Sequence, residues 1–340
     1  MYRLFLFLIL ALVLGAAVED LFYEPDQNIV LSTKRIVLDR FEGAFNPSIA
    51  KVAEGFLLTF RYCPDPANQN WLSYTGVVIL NESLDLVTEP QLLNTREKNS
   101  KTPSQVEDAR LFIYKDKLFL IYNDNIDEIF FGPWTRRDMF MAQLFVEDGH
   151  YQLSRPVKLV CEEKIHSQSQ QKNWVPFEWN QTLLFGYSVT PHEILVPNLK
   201  NGACFSKYKT DSPIDWIYGK LRGSSAALLV DGEYLAFFHS GVKTRSPASH
   251  DWKLWHYFMG AYTFSATPPF QILKMTEKPI LGKDFYTPSY REKRVVFPGG
   301  FVDAGETLYL AYGKDDCEIW VAILDKKELK RALIPRVIQK

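Results

Sequence analysis

The chain of 340 residues has little net charge of either sign, since 39 lysine and arginine residues are balanced by 40 aspartate and glutamate residues. It therefore gives no general electrostatic reason to bind nucleic acid or an anionic membrane, and we expect neither partner. Cysteine is also scarce: the four residues are widely spaced, and none of the intervals fits a zinc site. We expect no bound metal.

Long apolar runs are absent except at the N-terminus. Residues 1–17 combine a positive start at Arg3, the apolar run Leu4–Leu14 and the small residues Gly15-Ala16-Ala17. This arrangement is typical of a secretory signal peptide, and the run is short for a membrane span, which needs roughly 20 residues. It predicts cleavage near Ala17 or, alternatively, an uncleaved anchor. Residues 18–340 would then form a single domain that is secreted or lies in the lumen of the secretory pathway.

Entry into this pathway would allow two kinds of modification. The sequons Asn81-Glu82-Ser83 and Asn180-Gln181-Thr182 predict N-glycosylation at Asn81 and Asn180. In an oxidising compartment the cysteines would form two disulfides with three possible pairings, and the alternative is four buried free thiols. The residues concerned are Cys63, Cys161, Cys204 and Cys317.

Aromatic residues are abundant, at 14% of the chain, which favours β-strands and flat binding surfaces. One pattern recurs five times: a strand-like run, a polar or glycine-containing turn, and alternating apolar residues that end in an aromatic. The interval between repeats is roughly 50 to 75 residues. The turns lie at Gly55, Asp116, Gln181, Gly232 and Gly305.

A polar or glycine-rich opening precedes each of these hairpins. The repetition predicts an all-β fold, namely a five-bladed β-propeller, whereas the alternative of a β-sandwich would not explain the recurring openings. Because the innermost strands of a propeller begin near its central channel, we expect the openings to meet in one pocket. They are Asn46-Pro47-Ser48, Glu107-Asp108-Ala109-Arg110, Lys172-Asn173-Trp174, Arg222-Gly223-Ser224-Ser225 and Phe297-Pro298-Gly299-Gly300.

These openings, in this order and one per hairpin, resemble glycoside hydrolase family 130. Members of that family are five-bladed propellers that cleave or form β-mannosides by phosphorolysis, hydrolysis or mannosyl transfer. The resemblance extends from about residue 40 to residue 325 and includes His239, Gly313 and Asp315. It implies an inverting enzyme that acts on β-mannosidic glycans without a cofactor.

The resemblance places the family's proton donor at Asp108, which would act through a sugar hydroxyl. Taken alone, Glu-Asp-x-Arg before a strand is more often a surface ion pair, and a lone histidine such as His239 is more often structural. The substrate-binding residues implied by the resemblance or by residue type are Asn46, Arg61, Arg110, Lys172, Asn173, Trp174, Arg222, His239, Gly299, Gly300 and Asp315.

Two departures from the family bear on the acceptor. Ala109 replaces the usual proline, and Phe185-Gly186-Tyr187-Ser188 replaces a stretch that in phosphorylases ends in His-Arg, whose arginine binds phosphate. Water or a sugar is therefore favoured over inorganic phosphate, which stays an alternative co-substrate. A reaction with water needs a second carboxylate about 6.5–9.5 Å from the acid. Glu178 and Glu193 are the candidates for this base.

A different class of function is also open, because a catalytically inactive propeller can bind carbohydrate. Aromatic faces would serve either function, although packing between blades explains most of them. We expect the segment 241–254, with Trp252 inside it and Trp255 and His256 just after it, to be a long loop that covers the pocket or selects the substrate. The candidate stacking residues are Trp174, Trp179, Tyr187, Tyr257 and Tyr262.

Overall fold

The structure, a computed structural model, describes residues 18–24, 27–65, 72–96, 103–125, 136–165, 170–211 and 214–336. The N-terminal segment 1–17 lies outside these ranges, so the signal peptide and the anchor stay predictions. No helix within the described ranges has the length and apolar character needed to cross a membrane.

Three sheets of antiparallel strands make up the first part of the chain. The first sheet has the order β2-β3-β4-β5, with β2 (Phe45–Val52), β3 (Gly55–Tyr62), β4 (Tyr74–Leu80) and β5 (Gln91–Leu92). The second has the order β6-β7-β8-β10, with β6 (Glu107–Tyr114), β7 (Lys117–Asn125), β8 (Arg137–Glu147), β10 (Val157–Leu159) and, paired with β8, β9 (His150–Leu153). The third has the order β11-β12-β13-β14, with β11 (Val175–Trp179), β12 (Thr182–Ser188), β13 (His192–Pro197) and β14 (Cys204–Thr210).

A larger sheet contains the remaining strands. One run of it comprises β15 (Arg222–Gly223), β16 (Leu228–Val230), β17 (Glu233–Thr244), β18 (Leu254–Ser265) and β19 (Ile272–Thr276). The other comprises β20 (Lys293–Asp303), β21 (Thr307–Lys314), β22 (Glu318–Asp325) and the N-terminal strand β1 (Val30–Ile36). The helix α1 (Lys326–Ala332) precedes β23 (Leu333–Pro335), which pairs with β19. Short 3-10 helices span Leu21–Tyr23, Glu162–Lys164 and Pro247–Ser249.

All five predicted hairpins are present, as β2–β3, β6–β7, β11–β12, β16–β17 and β20–β21. The backbone conformation of their turns explains why the sequence alone predicted these hairpins. In the β6–β7 turn, Lys115 and Asp116 both have positive φ, as do Asn180 and Gln181 in the β11–β12 turn. Two-residue turns of this kind match the twist of the flanking strands. The all-β prediction is confirmed, and the arrangement of sheets is propeller-like.

The two halves of the largest sheet are joined in two ways. β1 pairs antiparallel with β22 from Val30 to Ile36, so the N-terminal strand completes the sheet formed by the C-terminal strands. A short parallel ladder links β18 to β20, with Trp255 opposite Lys293 and Tyr257 opposite Val295.

The core lies between neighbouring sheets. Leu57 and Val77 of the first sheet, for example, pack in one cluster with Leu111 and Leu120 of the second. Aromatic rings are buried in the same way: Phe177 of the third sheet meets Phe264 of the largest sheet edge to face at 5.1 Å between ring centroids. Phe237 is also fully buried and meets Phe301, from the other run of the largest sheet, edge to face at 5.1 Å. Packing between sheets therefore accounts for much of the aromatic content.

The four cysteines, all within the described residues, are free thiols. This corrects the prediction of two disulfides in favour of its alternative. Cys161 and Cys204 are buried in one apolar cluster, whereas Cys63 and Cys317 are only half-buried. Of the two sequons, Asn180 is exposed at the tip of the β11–β12 hairpin, and Asn81 follows β4 and accepts a hydrogen bond from the amide of Asp85. Glycosylation stays a prediction.

Replacing Phe237 by alanine tests the contribution of this core. We expect Phe237→Ala to lower the free energy of unfolding by about 3–5 kcal/mol, because it removes a fully buried ring and leaves a cavity. The control Phe205→Ala removes a ring that is 60% exposed on β14 and should change the free energy by less than about 0.5 kcal/mol. Urea unfolding at equilibrium measures both, and similar losses would contradict this account of the core.

Candidate active site

A cavity of about 780 Å³ lies where the openings of the inner strands meet. Its wall is formed by the start of β2, the start of β6, the segment before β11, the short strand β15 and the first half of β20. The structure brings many of the predicted site residues together here. They are Asn46, Arg61, Asp108, Lys172, Asn173, Arg222, His239 and Asp315.

The backbone turns several of these side chains into the cavity. Asn46, Asp108 and Asn173 have φ of 46°, 52° and 64°, and the β2 and β6 ladders shift register at these openings. Asparagine and aspartate tolerate this left-handed conformation better than most other residues. Left-handed positions that recur at the starts of three sheets mark a site that the surrounding structure holds in place.

The carboxylate of Asp108 is held at the cavity wall by neighbours from the first sheet. Asn46 Nδ2 donates a hydrogen bond to Asp108 Oδ1 at 3.0 Å, and Arg61 Nη1 lies 3.6 Å from the same oxygen. Gly313 lies against Asn46, where a Cβ atom would be only 2.1 Å from Asn46 Oδ1. A side chain at position 313 would therefore displace the amide that orients Asp108.

Glu107 joins three cations beside Asp108, a role that sequence analysis did not identify. Its Oε1 lies 3.1 Å from Arg61 Nη2 and 3.3 Å from Arg137 Nη2, and its Oε2 accepts a hydrogen bond from Lys172 Nζ at 2.7 Å. Burial raises the pKa of Glu107, but Arg61, Arg137 and Lys172 more than offset this effect and hold the pKa well below its usual range. Glu107 is therefore ionised.

His239 and Arg222 lie side by side in the ladder of β15 and β17. The His239 ring is buried, and its Nδ1 is 2.6 Å from Ser224 Oγ. Burial, together with the charges of Arg110 and Arg222, lowers the pKa of His239 well below its usual value, so the ring is neutral near pH 7. Arg222 is exposed and forms no ion pair with another described residue.

Four residues expected to touch substrate lie behind the cavity wall instead. Arg110 is buried, donates to Asn173 Oδ1 at 3.0 Å and has its pKa lowered to about 10 by burial. Trp174 is fully buried in an apolar cluster. A Cβ atom at Gly299 would lie 1.9 Å from the Pro47 carbonyl oxygen, and one at Gly300 would lie 2.3 Å from Ser48 Oγ, also on β2. Arg110 and Trp174 thus pack behind the wall, and the two glycines allow neighbouring strands to approach closely.

Glu178 and Glu193, the predicted candidates for a base, do not line the cavity. Glu178 accepts a hydrogen bond from the amide of Lys115, near the hairpin turns of the second and third sheets. Glu193 is on β13, where Lys164 and Ser206 each lie 2.7 Å from its carboxylate. Both residues are close to Lys172 along the chain, which is why they were chosen. In the structure, however, neither lies at the end of a strand that faces the cavity.

The opposite wall comes from β18, the segment before β20 and the β21–β22 turn. Of its residues, only Tyr257 and Asp315 were expected, because the others lie in an irregular segment, at a strand end or in a turn, where the sequence shows no repeating pattern. Asp316 forms an ion pair with Lys293. In total, five cationic and six acidic side chains line the cavity, so the site as a whole is not cationic. The residues added by the structure here are Tyr290, Arg291, Glu292, Lys293 and Asp316.

No protein-family model and no curated protein sequence matches the chain. Solved structures do. A β-1,2-mannobiose phosphorylase from Listeria innocua, in complex with β-1,2-mannobiose, is 18% identical, with 92% of this chain and 98% of that chain covered and a TM-score of 0.59. A mannose phosphorylase from Leishmania mexicana, in complex with phosphate ion, is 11% identical, with coverage of 90% and 92% and a TM-score of 0.56.

A third structure comes from work on the GH130 family of mannoside phosphorylases, which contains glycoside hydrolases that target β-1,2-mannosidic linkages in Candida mannan. It is 11% identical, with 89% of this chain and 96% of that chain covered and a TM-score of 0.62. The chain has the fold of the GH130 mannoside phosphorylases. The resemblance inferred from the five openings is thus confirmed at the level of the fold.

Glu107→Gln tests the ion cluster. Removing Glu107 takes away the carboxylate that three cations share and leaves Arg137 and Lys172 without an ion pair among the described residues, so we expect a loss of about 3–5 kcal/mol in the free energy of unfolding at pH 7. Because folding lowers the pKa of Glu107, its stabilising contribution is complete above its ordinary pKa of 4.5 and is lost as pH falls below that value. The variant should therefore lose less stability than the wild type between pH 5 and pH 3.

Denaturant unfolding across this pH range makes the comparison, with Glu292→Gln as the control. Glu292 also lines the cavity, but it is exposed and has no ion pair with a described residue. Its replacement should leave both the stability and its pH dependence unchanged. An identical pH dependence in Glu107→Gln and wild type would contradict the role given to Glu107.

Proposed function

We propose that the chain is a carbohydrate-active enzyme that cleaves or transfers β-mannosidic residues with inversion, with water or a sugar as the favoured acceptor. The observation that carries the proposal is the Asp108 carboxylate, which Asn46 and Arg61 orient at the wall of a cavity large enough for a disaccharide. Three solved structures of the same fold come from work on proteins that act on mannosides. Our proposal includes five blades, which requires that the largest sheet divide into β15–β19 and β20–β22 with β1.

In the proposed reaction Asp108 gives its proton to a hydroxyl of the bound mannoside, and that hydroxyl passes its own proton to the glycosidic oxygen. The bond between the anomeric carbon and this oxygen then breaks, and the acceptor attacks the anomeric carbon from the opposite face. Asn46 keeps the carboxylate in position. The Glu107 cluster fixes Arg61 and Lys172 at the wall, where they can hydrogen-bond sugar hydroxyls.

The charge of the cavity supports a neutral acceptor. Glu107 already neutralises Arg61 and Lys172, and Asp316 pairs with Lys293, so few cations are left for a phosphate. For water, we propose Asp316 as the base in place of Glu178 and Glu193. It lines the cavity, and its charge, together with those of Glu107 and Asp108, raises the pKa of Arg61 against the lowering effect of burial. Arg222 is the best candidate for binding phosphate if phosphate is the acceptor.

Asp108→Asn tests the proposal. The amide cannot donate an acidic proton, so turnover should fall by at least 100-fold with every acceptor. The measurement is product formation from β-1,2- and β-1,4-linked mannosides in water, with phosphate, and with mannose added as an acceptor. Asp148→Asn is the matched control, because Asp148 also has left-handed backbone, with φ of 49°, but lies exposed in the β8–β9 turn.

The possible outcomes of this assay distinguish the proposed mechanism from its alternatives. Equal activity in Asp108→Asn and wild type would contradict the role of Asp108. A wild-type protein that binds mannosides but turns over none of them would instead support the inactive carbohydrate-binding propeller. Strict dependence on phosphate would show that the acceptor was wrongly chosen.

We also propose that the protein enters the secretory pathway and carries a glycan at Asn180, which is the more exposed of the two sequon asparagines. Expressed from eukaryotic cells, the wild type should lose mass on treatment with an N-glycosidase. Asn180→Gln should migrate as the faster form before treatment. An intracellular protein without this mass shift would contradict both proposals.

A further inference from the structure

The hairpin of β17 and β18 projects beyond the cavity. Arg222 and Gly223 of β15 end their pairing at His239, whereas β17 and β18 remain paired from Ser240 opposite Phe258 to Thr244 opposite Leu254. The expected loop over 241–254 is therefore shorter than predicted: it spans residues 245–253, with the short helix Pro247–Ser249 inside it, while 241–244 are strand and Trp255 and His256 lie on β18. The projection places strand residues at the rim of the cavity.

One face of this projection carries aromatic rings from the cavity to the rim. Tyr257 lines the cavity, and Trp255, two residues earlier on β18, points to the same side of the sheet. The ring centroids of His239 and Tyr257, and of Tyr257 and Trp255, are each 6.3 Å apart. Trp255 also pairs with Lys293, another cavity residue, so the rim and the cavity form a continuous surface.

The Trp255 ring is accessible, with 44% of the residue exposed. Lys243 Nζ lies 5.8 Å from the centroid of this ring and covers part of it. Opposite Tyr257 the partner strand has Gly241, where a Cβ atom would lie 3.4 Å from the Tyr257 ring. The glycine therefore leaves that ring uncovered by a cross-strand side chain.

Several contacts hold the projection rigid. Ser246 Oγ is 2.7 Å from His256 Nε2, and the Ser289 amide donates to the Ala248 carbonyl oxygen at 3.1 Å. His250 stacks on Tyr290 with ring centroids 4.2 Å apart and planes 12° apart. Because the rings are already positioned, a ligand that stacks on them has little ordering entropy to overcome.

We propose that Trp255 forms a distal sugar-binding subsite, which holds a mannose unit of the substrate outside the cavity. The C–H groups on one face of a pyranose pack on a flat, partly exposed indole, while the hydroxyls at the ring edge stay hydrated or contact the Lys243 ammonium. This inference rests on the proposed action on β-mannosides. It makes the enzyme selective for chains longer than a disaccharide.

Calorimetric titration of the full chain tests this inference. The protein carries Asp108→Asn, so that the bound sugar is not turned over during the titration. The probes are β-1,2- and β-1,4-linked mannobiose, mannotriose and mannotetraose. Affinity should rise by about tenfold from the disaccharide to the longer chains. Trp255→Ala should abolish that rise without changing the disaccharide affinity, and Trp255→Phe should keep part of it.

Trp252→Ala is the matched control, since Trp252 belongs to the same projection, is 65% exposed and has no ring contact with another described residue. It should bind every probe as the parent does, and thermal melting should show that both alanine variants are folded. A rise that survives Trp255→Ala, or an affinity independent of chain length, would overturn the distal subsite and leave the proposed function intact. Failure of every probe to bind the parent would instead overturn the mannoside substrate, and the subsite with it.

Discussion

The charge cluster around Glu107 is the interaction on which the candidate site depends. The cluster joins Arg61 of the first sheet, Arg137 of the second and Lys172 before the third, so one carboxylate connects three parts of the propeller-like fold. Burying most of the surface of four charged side chains is costly, and only mutual pairing makes it tolerable. Because Asp108 directly follows Glu107 in the chain, the cluster that joins the sheets also fixes the position of the proposed acid.

The chemistry of the site follows from where the sheets begin. A strand start is free to adopt left-handed backbone, which regular pairing would forbid, and asparagine or aspartate occupies that position in three sheets. The polar ends thereby turn inward while the apolar middles of the same strands pack between sheets. Glycines at positions 299, 300 and 313 permit this close approach and do not themselves line the cavity.

The features predicted best from the sequence are those that depend on a few neighbouring residues. The hairpins were identified because two-residue turns have recognisable residues, and the convergence of Asn46, Asp108 and Lys172 followed from their place just before inner strands. Depth within the molecule was harder to infer. Glu178 is close to Lys172 along the chain but lies at the opposite end of β11, and Trp174 points into the core. The wall around Tyr290 was missed because an irregular segment carries no periodic signal.

The pairing of β1 with β22 has a consequence for the order of events during synthesis. β1 is synthesised about 290 residues before its partner, so its edge must wait unpaired until β22 has left the ribosome. A contact of such long sequence separation makes closure a late and slow step. During that interval the nascent chain presents an open strand to chaperones and to other chains.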